Sequence, residues 1–344
     1  MRFLITGHTG FKGAWLTLML LERGHRVSGI ALDPEPGALF STARLSEALD
    51  HDIRRDIRDF EGLRADFADA APDVVVHMAA QPLVRASYDL PRETIETNVV
   101  GTMNVMESVR TLDCVQAQVI VTTDKVYRNI GQPEGYVESD ALGGHDPYSA
   151  SKAAADLLAQ SWVSSFELPP TAIVRAGNVI GGGDVSADRL LPDLLTAFSD
   201  GSPAVIRYPE AIRPWQHILD CLTGYLAVTD ALLAGFGQGT WNFGPGQQGA
   251  VKVSEVAQLS ADRWNQQSGT SQARWHSSSE SHSHEAAVLA LDASKAESNL
   301  GWRNRLDVSD AIDWTVDWAI RAQNEDPRAV TKQQILAFID FANL

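Results

Sequence analysis

The residue types best suited to moving protons stand in two short segments, Thr122–Lys125 and Tyr148–Lys152. In the second segment a phenol and an ammonium are four residues apart, which places them on one face of a helix. A lysine charge beside a phenol favours the phenolate, so Tyr148 is predicted as a general base for a hydroxyl whose carbon gives up hydride. The spacing alone is weak evidence, because many solvated helix faces carry such a pair.

Asp124 adds a carboxyl to the same region, directly after two threonines at the end of a predicted strand (Val115–Thr123). A carboxyl beside a substrate can protonate a departing hydroxyl, although Asp124 could instead cap a loop. Lys125 stays open between a base, which would have to be largely neutral, and a phosphate-binding or surface lysine. Thr122 and Thr123 are expected to contact cofactor and substrate, because ligands bind at the carboxyl ends of strands in open α/β sheets.

Three glycines follow an apolar predicted strand (Arg2–Thr6), and the third of them lies in the first turn of a predicted helix (Phe11–Arg23). Glycines there allow a tight turn and let the backbone approach a pyrophosphate, while the helix N-terminus supplies N–H groups and a positive dipole. A glycine-rich turn without a ligand is the alternative. The pattern predicts a dinucleotide site formed by Gly7, Thr9, Gly10, Phe11, Lys12 and Gly13.

Asp33 ends the second predicted strand, 20 residues beyond Gly13. A carboxylate at this place accepts a hydrogen bond from a ribose 2′-hydroxyl and repels a 2′-phosphate, which favours NAD over NADP. The alternative is a turn residue before Pro34. Asp56 and Ile57 end a weaker third strand and are expected at the adenine edge.

Later residues could hold an anionic ligand. Asn178 lies in a glycine-rich segment, Arg189 begins a helix pattern, and Arg207 and Arg213 flank a turn. A diphosphate buried between two lobes would be held by such arginines, although each one alone could be a surface charge.

These residues need a scaffold that brings strand ends together. Up to about Arg175, short apolar strands alternate with helices of about a dozen residues, a pattern typical of a parallel sheet covered on both faces. Right-handed crossovers then give a doubly wound α/β Rossmann fold. The third strand is predicted over Ile53–Ile57, and one long helix over Pro91–Leu112. Beyond Arg175 the pattern predicts a smaller, mainly helical α/β substrate lobe.

A chain of 344 residues is long for one core. We predict a nucleotide-binding domain in 1–175, to which the chain returns at about 216–245, and a substrate lobe in 176–215 and 246–344. Predicted elements of the second half are helices at Arg189–Ser199, Ile218–Leu233, Val253–Gln267, Val308–Ala322 and Thr331–Phe341, and strands at Ala204–Arg207, Thr240–Phe243 and Val288–Leu291.

Charge and composition argue against several classes of binding partner. The net charge of −16 repels polyanions, so no nucleic acid is expected. Two distant cysteines, Cys114 and Cys221, form neither a disulfide framework nor a zinc pattern, which fits a reducing cytoplasm. His282, His284 and Glu285 are too few for a metal site, and no apolar run is long enough for a bilayer, so neither metal nor membrane is expected.

Several longer motifs occur along the chain in this order: GHTGFKG, HMAAQPLVRASY, TNVVGT, TTDKVY, LGGHDPYSASK, RAGNVIGGGD, RPWQHI, WNFGP, HSHEA and WTVDW. Together they resemble the extended short-chain dehydrogenase/reductases, and specifically the CDP-glucose 4,6-dehydratase family. Related nucleotide-sugar dehydratases carry Thr-Asp-Glu where this chain has Thr123, Asp124 and Lys125.

The resemblance implies an NAD-dependent reaction on a nucleotide-glucose, with CDP-glucose as the expected substrate. Tyr148 would take the 4-hydroxyl proton while C4 gives hydride to NAD, with Thr123 bonded to the 4-oxygen. Asp124 would protonate the leaving 6-hydroxyl, and hydride would return to C6 to give the 4-keto-6-deoxy sugar. Lys125 falls where relatives place the glutamate that removes the C5 proton.

The motif positions also imply further ligand contacts and an assembly. Cofactor contacts are expected at Ala79, Ala80, Gln81, Asn98, Thr122, Tyr148 and Lys152. Substrate contacts are expected at Gln81, Ser87, Thr123, Asn178, Arg189, Arg207 and Arg213. The family forms homo-oligomers, so a homodimer or homotetramer is expected, with the helix Pro91–Leu112 and the helix from Tyr148 as natural interface faces.

Two segments depart from the family pattern. Residues 128–136 lack the tryptophans expected there, and the element that usually reads HPHEAN is His282-Ser-His284-Glu285-Ala-Ala. Other functions remain open: a dehydratase for another nucleotide sugar, an NAD-dependent epimerase, which would not need Asp124, and a non-catalytic NAD-binding protein, which could lose Tyr148 or Lys152 without cost.

Overall fold

The computed structural model describes residues 1–132, 134–246, 249–278 and 289–342. The strands are β1 (Arg2–Thr6), β2 (Arg26–Ala31), β3 (His51–Arg54), β4 (Val74–His77), β5 (Ala117–Val121), β6 (Thr171–Ala176), β7 (Asn178–Ile180), β8 (Ala204–Ile206), β9 (Ile212–His217), β10 (Gly239–Phe243), β11 (Ala250–Lys252) and β12 (Trp275–Ser277). The helices are α1 (Phe11–Glu22), α2 (Leu39–Thr42), α3 (Phe60–Ala70), α4 (Val84–Asp89), α5 (Pro91–Ile95), α6 (Gly101–Arg110), α7 (Pro147–Ser165), α8 (Leu190–Ser199), α9 (Ile218–Leu233), α10 (Val253–Ser268), α11 (Ser294–Leu300), α12 (Val308–Arg321) and α13 (Pro327–Ala342).

Seven of these strands form one parallel sheet in the order β3-β2-β1-β4-β5-β6-β10. The order reverses between β1 and β4, and ligands of open α/β sheets bind at such a reversal, outside the carboxyl ends of the strands. The predicted doubly wound Rossmann fold is confirmed. β10 joins β6 in parallel, so the chain returns to this sheet after leaving it.

Successive residues of the first strand pack into two different apolar cores, one on each face of the sheet. In β1, Phe3 and Ile5 belong to the core on the side of α1 and α9, whereas Leu4 belongs to the core on the side of α3 and α6. A strand whose residues are buried on both faces must be apolar throughout, as the sequence pattern indicated.

The second half of the chain adds two small sheets and a layer of helices. β7 pairs in parallel with β9, β9 pairs antiparallel with β11, and β8 pairs in parallel with β12. Helices α8, α10 and α12 pack beside them through the same continuous apolar core that covers one face of the large sheet. The two parts of the molecule therefore share packing as well as chain crossings.

Several boundaries differ from the predictions. The third strand lies at His51–Arg54 instead of Ile53–Ile57, and the predicted strand at Val288–Leu291 is absent from its described residues, 289–291. The predicted long helix Pro91–Leu112 is divided by a π-helical turn at Glu96–Val100. The three-residue strands β7, β11 and β12 carry too few residues for their periodicity to be recognised, and the longer β9 contains Pro214, which is uncommon within strands.

The glycine run after β7 serves helix packing. A Cβ on Gly182 would lie 2.0 Å from the ring of Trp318 in α12, and one on Gly181 would lie 2.6 Å from Ile218. Gly183 has a φ of +76°, a conformation that favours glycine. The run therefore allows α12 to approach the backbone closely, and the Trp15 indole adds a hydrogen bond to the Gly182 carbonyl at 2.9 Å.

Among the described residues, none of the helices is long and apolar enough to cross a membrane.

Candidate active site

The turn after β1 can be built only with glycine. Gly7 has a φ of +80°, and a Cβ there would lie 2.8 Å from the Ala79 nitrogen. A Cβ on Gly13 would lie 2.2 Å from the Gly7 carbonyl oxygen. Gly10 precedes α1 and offers no side-chain cap, so the first N–H groups of that helix remain donors for an anionic ligand.

A cleft of about 180 Å³ opens beside this turn. Its lining joins the glycine-rich turn, the end of β2 and the segment after β7, and consists of Thr9, Gly10, Phe11, Asp33, Glu35, Ala38, Gly183, Asp184, Val185 and Ser186. Thr9 Oγ1 donates to the Leu32 carbonyl at 3.1 Å, while Lys12 Nζ donates to the Tyr225 hydroxyl at 3.4 Å.

The other predicted adenosine residues lie at the same edge of the sheet. Asp33 is 90% exposed at its side chain, and its Oδ1 lies 3.3 Å from Arg54 Nε. Asp56 accepts hydrogen bonds from Arg58, which holds the pKa of the Asp56 carboxyl below its usual range. Ile57 is buried in the core. Asp33 is therefore open to a ligand, whereas Asp56 and Ile57 have partners within the protein.

Asn98 positions the segment that follows β4. Its Oδ1 accepts from Gln81 N at 2.8 Å, and its Nδ2 donates to the Gln81 carbonyl at 3.1 Å and to Ser151 Oγ at 2.8 Å. Asn98 stands in the π-helical turn, which directs it inward. Ala79–Gln81 is thereby tied to α7, the helix that carries Tyr148 and Lys152.

Thr123 lies beside both Tyr148 and Asp124. It is near enough to the phenol to act on its pKa, and its Oγ1 donates to Asp124 Oδ1 at 2.9 Å. Burial raises the pKa of Tyr148 to about 12, while the Thr123 hydroxyl and the Arg189 charge act in the opposite direction. Asp124 itself is buried, and a Cβ on Gly177 would lie 2.9 Å from its Oδ2. Glycine at 177 thus leaves the carboxyl its space.

Lys152 is buried on the same helix. Its Nζ donates to the Val121 carbonyl at 2.9 Å, at the end of β5. Burial lowers the pKa of Lys152 to about 8, with the Lys12 charge adding to the effect and Asp156 opposing it. Lys152 is therefore close to its titration range at neutral pH.

A buried ion pair connects β6 to α7, the helix that carries Tyr148 and Lys152. Arg175 and Asp156, both fully buried, form two hydrogen bonds of 2.8 and 2.7 Å. Thr122 Oγ1 donates to the same carboxylate at 2.9 Å, and Arg175 continues to the Tyr127 hydroxyl at 2.8 Å. Thr122 therefore faces the interior and fixes the end of β5.

Two of the predicted substrate residues, Arg189 and Ser87, lie near Tyr148. Arg189 is near enough for its charge to lower the pKa of Tyr148, and its Nη1 lies 3.5 Å from Asp184. Ser87 is buried and accepts from the Tyr148 backbone N–H at 3.2 Å, so it supports the start of α7. Lys125 is half-buried in the turn that contains Asp124.

Farther out, Asp188 bridges two arginines. Arg85 of α4 and Arg207 after β8 donate to the same Asp188 oxygen at 2.7 and 2.8 Å. Arg213 is buried in β9 and donates to the Ile212 carbonyl at 2.8 Å. Asn178 opens β7, opposite Trp215. His282, His284 and Glu285 lie outside the described residues, within which no cluster suited to a metal ion occurs.

Sequence reasoning missed the partners that hold these residues. Arg175 with Asp156, Arg54 with Asp33, and Arg85 with Asp188 are each brought together by the fold from separated segments. A buried arginine at the end of an apolar strand was the signal available for Arg175, because such a charge requires a carboxylate partner.

Known proteins resemble this chain over most of its length. The family model described as GDP-mannose 4,6 dehydratase matches residues 4–315. This chain belongs to that family of nucleotide-sugar 4,6-dehydratases. It is 43% identical to CDP-glucose 4,6-dehydratase of Salmonella typhimurium, over 97% of this chain and 95% of the relative. The resemblance drawn from the motifs is thereby confirmed at the level of the family.

Solved structures of dehydratases and epimerases share the fold. The dTDP-glucose 4,6-dehydratase of Streptomyces venezuelae, crystallised with NAD and TYD, has a TM-score of 0.79 at 26% identity and covers 94% of this chain and 98% of its own. The UDP-glucose 4-epimerase of Thermotoga maritima also has a TM-score of 0.79, but at 20% identity, which shows the fold alone. The scaffold of this 4,6-dehydratase family member therefore does not by itself separate the two reactions.

Proposed function

We propose that this chain is an NAD-dependent dehydratase that converts CDP-glucose to its 4-keto-6-deoxy derivative and water. The observation that carries the proposal is the buried carboxyl of Asp124, bonded to Thr123, which acts on the pKa of the Tyr148 phenol. Epimerisation at C4 needs a base and a cofactor, whereas loss of water also needs a proton donor for the departing hydroxyl. The 43% identity to a CDP-glucose 4,6-dehydratase supports this nucleotide and this sugar.

The residues around the cleft fit NAD. Gly7 and Gly13 leave a cradle that a Cβ would fill, and Asp33 stands exposed at the edge of the cleft. The residues proposed to line the cofactor are Gly7, Thr9, Gly10, Phe11, Lys12, Gly13, Asp33, Ala79, Ala80, Gln81, Tyr148 and Lys152. The other predicted cofactor residues, whose own contacts lie within the protein, are proposed to position them: Asp56, Ile57, Asn98 and Thr122. NAD bound there supplies the acceptor for a hydride from C4 and the donor that returns it to C6.

Tyr148 is the proposed base for the sugar 4-hydroxyl. With a pKa raised by burial to about 12, the phenol needs added positive charge before it can act at neutral pH. The Arg189 charge and the nearby Thr123 hydroxyl already act to lower this pKa. Lys152 adds an ammonium on the same helix and is proposed to hold the nicotinamide ribose.

Elimination of water follows at C5 and C6. A base takes the C5 proton, the C5–H electron pair forms the C5–C6 double bond, and the C6–O bond breaks as Asp124 donates a proton to the leaving hydroxyl. Lys125, half-buried in the same turn, is proposed as the C5 base. The C5 proton held by Lys125 returns to C5 when hydride is added at C6, and the proton taken from the 4-hydroxyl balances the one lost with water. Thr123, which donates to Asp124 and lies near the Tyr148 phenol, is proposed to lie on the path of that proton.

The nucleotide diphosphate is assigned to the second lobe, residues 176–215 and 246–344, while 1–175 with 216–245 forms the NAD domain. Arg189, Arg207 and Arg213 are proposed to neutralise its two charges, because a protein of net charge −16 otherwise repels it. Gln81, Ser87, Thr123 and Asn178 are the proposed polar contacts of the sugar and nucleoside.

The assembly is proposed as a homodimer that can pair into a tetramer. Large apolar side chains are exposed on neighbouring helices of the NAD domain, at Ile95, Val100, Leu157 and Phe166. Burying them against a second copy would remove apolar surface from water. Cys114 and Cys221 are free thiols, which agrees with the cytoplasm as the proposed compartment.

A substrate panel tests this function. Purified protein with NAD is incubated with CDP-glucose, dTDP-glucose, UDP-glucose or GDP-mannose. The mass of each product is measured by mass spectrometry, and its configuration is determined by NMR. We expect loss of one water from CDP-glucose. Water lost only from another nucleotide sugar would overturn the CDP assignment, and a change of configuration without loss of mass would assign the chain to the epimerases.

A further inference from the structure

The end of the second strand carries both residue types that discriminate dinucleotides. An acidic residue there binds a ribose 2′-hydroxyl, whereas an arginine nearby accommodates a 2′-phosphate. This chain has Asp33 at that place and, 3.3 Å from its Oδ1, the Nε of Arg54. Arg54 ends β3, whose register sets it opposite Ala31 at the end of β2.

Arg54 is held firmly in this position. Its Nη1 and Nη2 donate to the two oxygens of Asp52 at 2.6 and 2.9 Å, and its guanidinium lies 5.3 Å from the centre of the Phe40 ring. Two hydrogen bonds and a ring contact leave the side chain little rotational freedom. Arg54 Nε therefore stays within ion-pair distance of the Asp33 carboxylate.

The support extends to the glycine-rich turn. His8 of that turn is fully buried, and its Nε2 lies 2.7 Å from Asp52 Oδ1. Gly29 makes room for it, because a Cβ there would lie 2.2 Å from the His8 ring. Burial lowers the pKa of His8, so this support adds no charge at neutral pH.

The charges of Asp33, Arg54 and Asp52 bear on the choice between NAD and NADP. One guanidinium stands between the carboxylates of Asp33 and Asp52, so the group is net negative. A 2′-phosphate, which adds further negative charge, is repelled, while a 2′-hydroxyl can donate to the exposed Asp33 carboxylate. Removing the Asp33 charge would leave a neutral pair of Arg54 and Asp52, with Nε of Arg54 no longer paired to a second carboxylate.

We propose that Arg54 is a preformed binding residue for a 2′-phosphate, blocked in this chain by Asp33. The selectivity for NAD then resides in one carboxylate, and the arginine needed for NADP is already in place, held by Asp52 and His8. This inference rests on the proposed NAD site and deepens it.

Cofactor binding to the purified chain tests the inference without reference to catalysis. Dissociation constants for NAD and NADP are measured by calorimetry for the wild type, Asp33→Asn and Asp33→Asn/Arg54→Met. We expect Asp33→Asn to shift the NAD-to-NADP affinity ratio toward NADP by at least about tenfold, and the added Arg54→Met to reverse most of that shift. Arg54→Gln provides a second neutral replacement if the Met variant melts early.

Glu35→Gln is the matched control. Glu35 lines the same cleft, so this variant removes an equal charge nearby without touching the Asp33–Arg54 pair. We expect its affinity ratio to shift clearly less than that of Asp33→Asn, because loss of Glu35 lowers the negative charge without releasing Arg54. The inference is overturned if Asp33→Asn gains no NADP affinity, if the gain survives loss of Arg54, or if Glu35→Gln gains as much. Absence of NAD binding to the wild type would overturn the proposed function as well, which separates the two failures.

Discussion

Tyr148 is the residue on which the first step of the proposed reaction depends, and the fold holds it protonated. Burial is the largest influence on its pKa of about 12, and the charges of Asp124 and Asp146 add to it. The Thr123 hydroxyl and the Arg189 charge compensate only in part. The phenol therefore becomes a competent base only when a filled cleft brings more positive charge, which couples base strength to ligand binding.

Replacing Tyr148 with phenylalanine should remove the base and leave the cleft. We expect the dehydration rate to fall by about 10²–10⁴-fold, since that is the usual contribution of a general base. NAD affinity should fall far less, because the aromatic ring stays in place. In the wild type the rate should rise with pH, because a base acts in its deprotonated form, until Lys152, with a pKa of about 8, loses its ammonium charge. Steady-state rates and NAD titrations check both expectations. Tyr88→Phe, an exposed tyrosine on α4, is the control and should retain full activity.

Replacing Asp124 with asparagine should separate the two halves of the reaction. The amide keeps the shape of the side chain and a bond to Thr123 but cannot donate a proton as an acid. We expect reduced nicotinamide to accumulate in a single turnover while water loss stops. Absorbance and product mass follow the two events. Water loss at the wild-type rate would show that another group protonates the leaving hydroxyl.

At the scale of elements, the packing of α12 onto the chain after β7 is the clearest constraint. A Cβ on Gly182 would lie 2.0 Å from the Trp318 ring, which is buried and hydrogen-bonded to Thr331. We expect Gly182→Ala to destabilise the protein by about 2–3 kcal/mol, as overpacking against a rigid ring does. Denaturant unfolding measures this change.

A double-mutant cycle supplies the control for that experiment. In a Trp318→Ala background the ring is gone, so Gly182→Ala should cost less than about 1 kcal/mol although the background itself is destabilised. Equal costs in both backgrounds would mean that the ring does not cause the effect. Because Gly182 also borders the cleft segment, NAD affinity should be measured alongside.

The elements that were predicted well are those whose pattern is local. The strand before Gly7, the helix after it and the helix from Tyr148 follow from apolar periodicity and glycine spacing in one stretch of chain. The π-helical turn at Glu96–Val100 could not be predicted, because it depends on Asn98 turning inward to bond segments far away in sequence.

The site shows the same division between local and distant signals. Thr123, Asp124, Tyr148 and Lys152 could be predicted because each follows a strand or lies on one helix face. The partners that set their properties come from the fold: Arg175 reaches Asp156, and Arg54 reaches Asp33 across the strand order β2-β3. A single sequence contains no signal for which carboxylate an arginine will meet.

At the scale of the whole molecule, the exposed apolar face of α5 to α7 predicts self-association. Leu157 of α7 is 54% exposed among other apolar residues, and a glutamate there would place charge in the proposed interface. We expect Leu157→Glu to shift the protein toward monomer in sedimentation experiments. Leu336→Glu is the matched control, because Leu336 is 44% exposed on α13 and should leave the assembly unchanged.

In the proposed reaction, the hydride removed from C4 returns to C6 as water leaves. CDP-glucose that carries deuterium at C4, incubated with the protein and NAD and followed by NMR and mass spectrometry, tests this transfer. We expect a product that has lost one water and holds the deuterium in its C6 methyl group. Deuterium that stays at C4 in a product of unchanged formula would contradict it and indicate epimerisation.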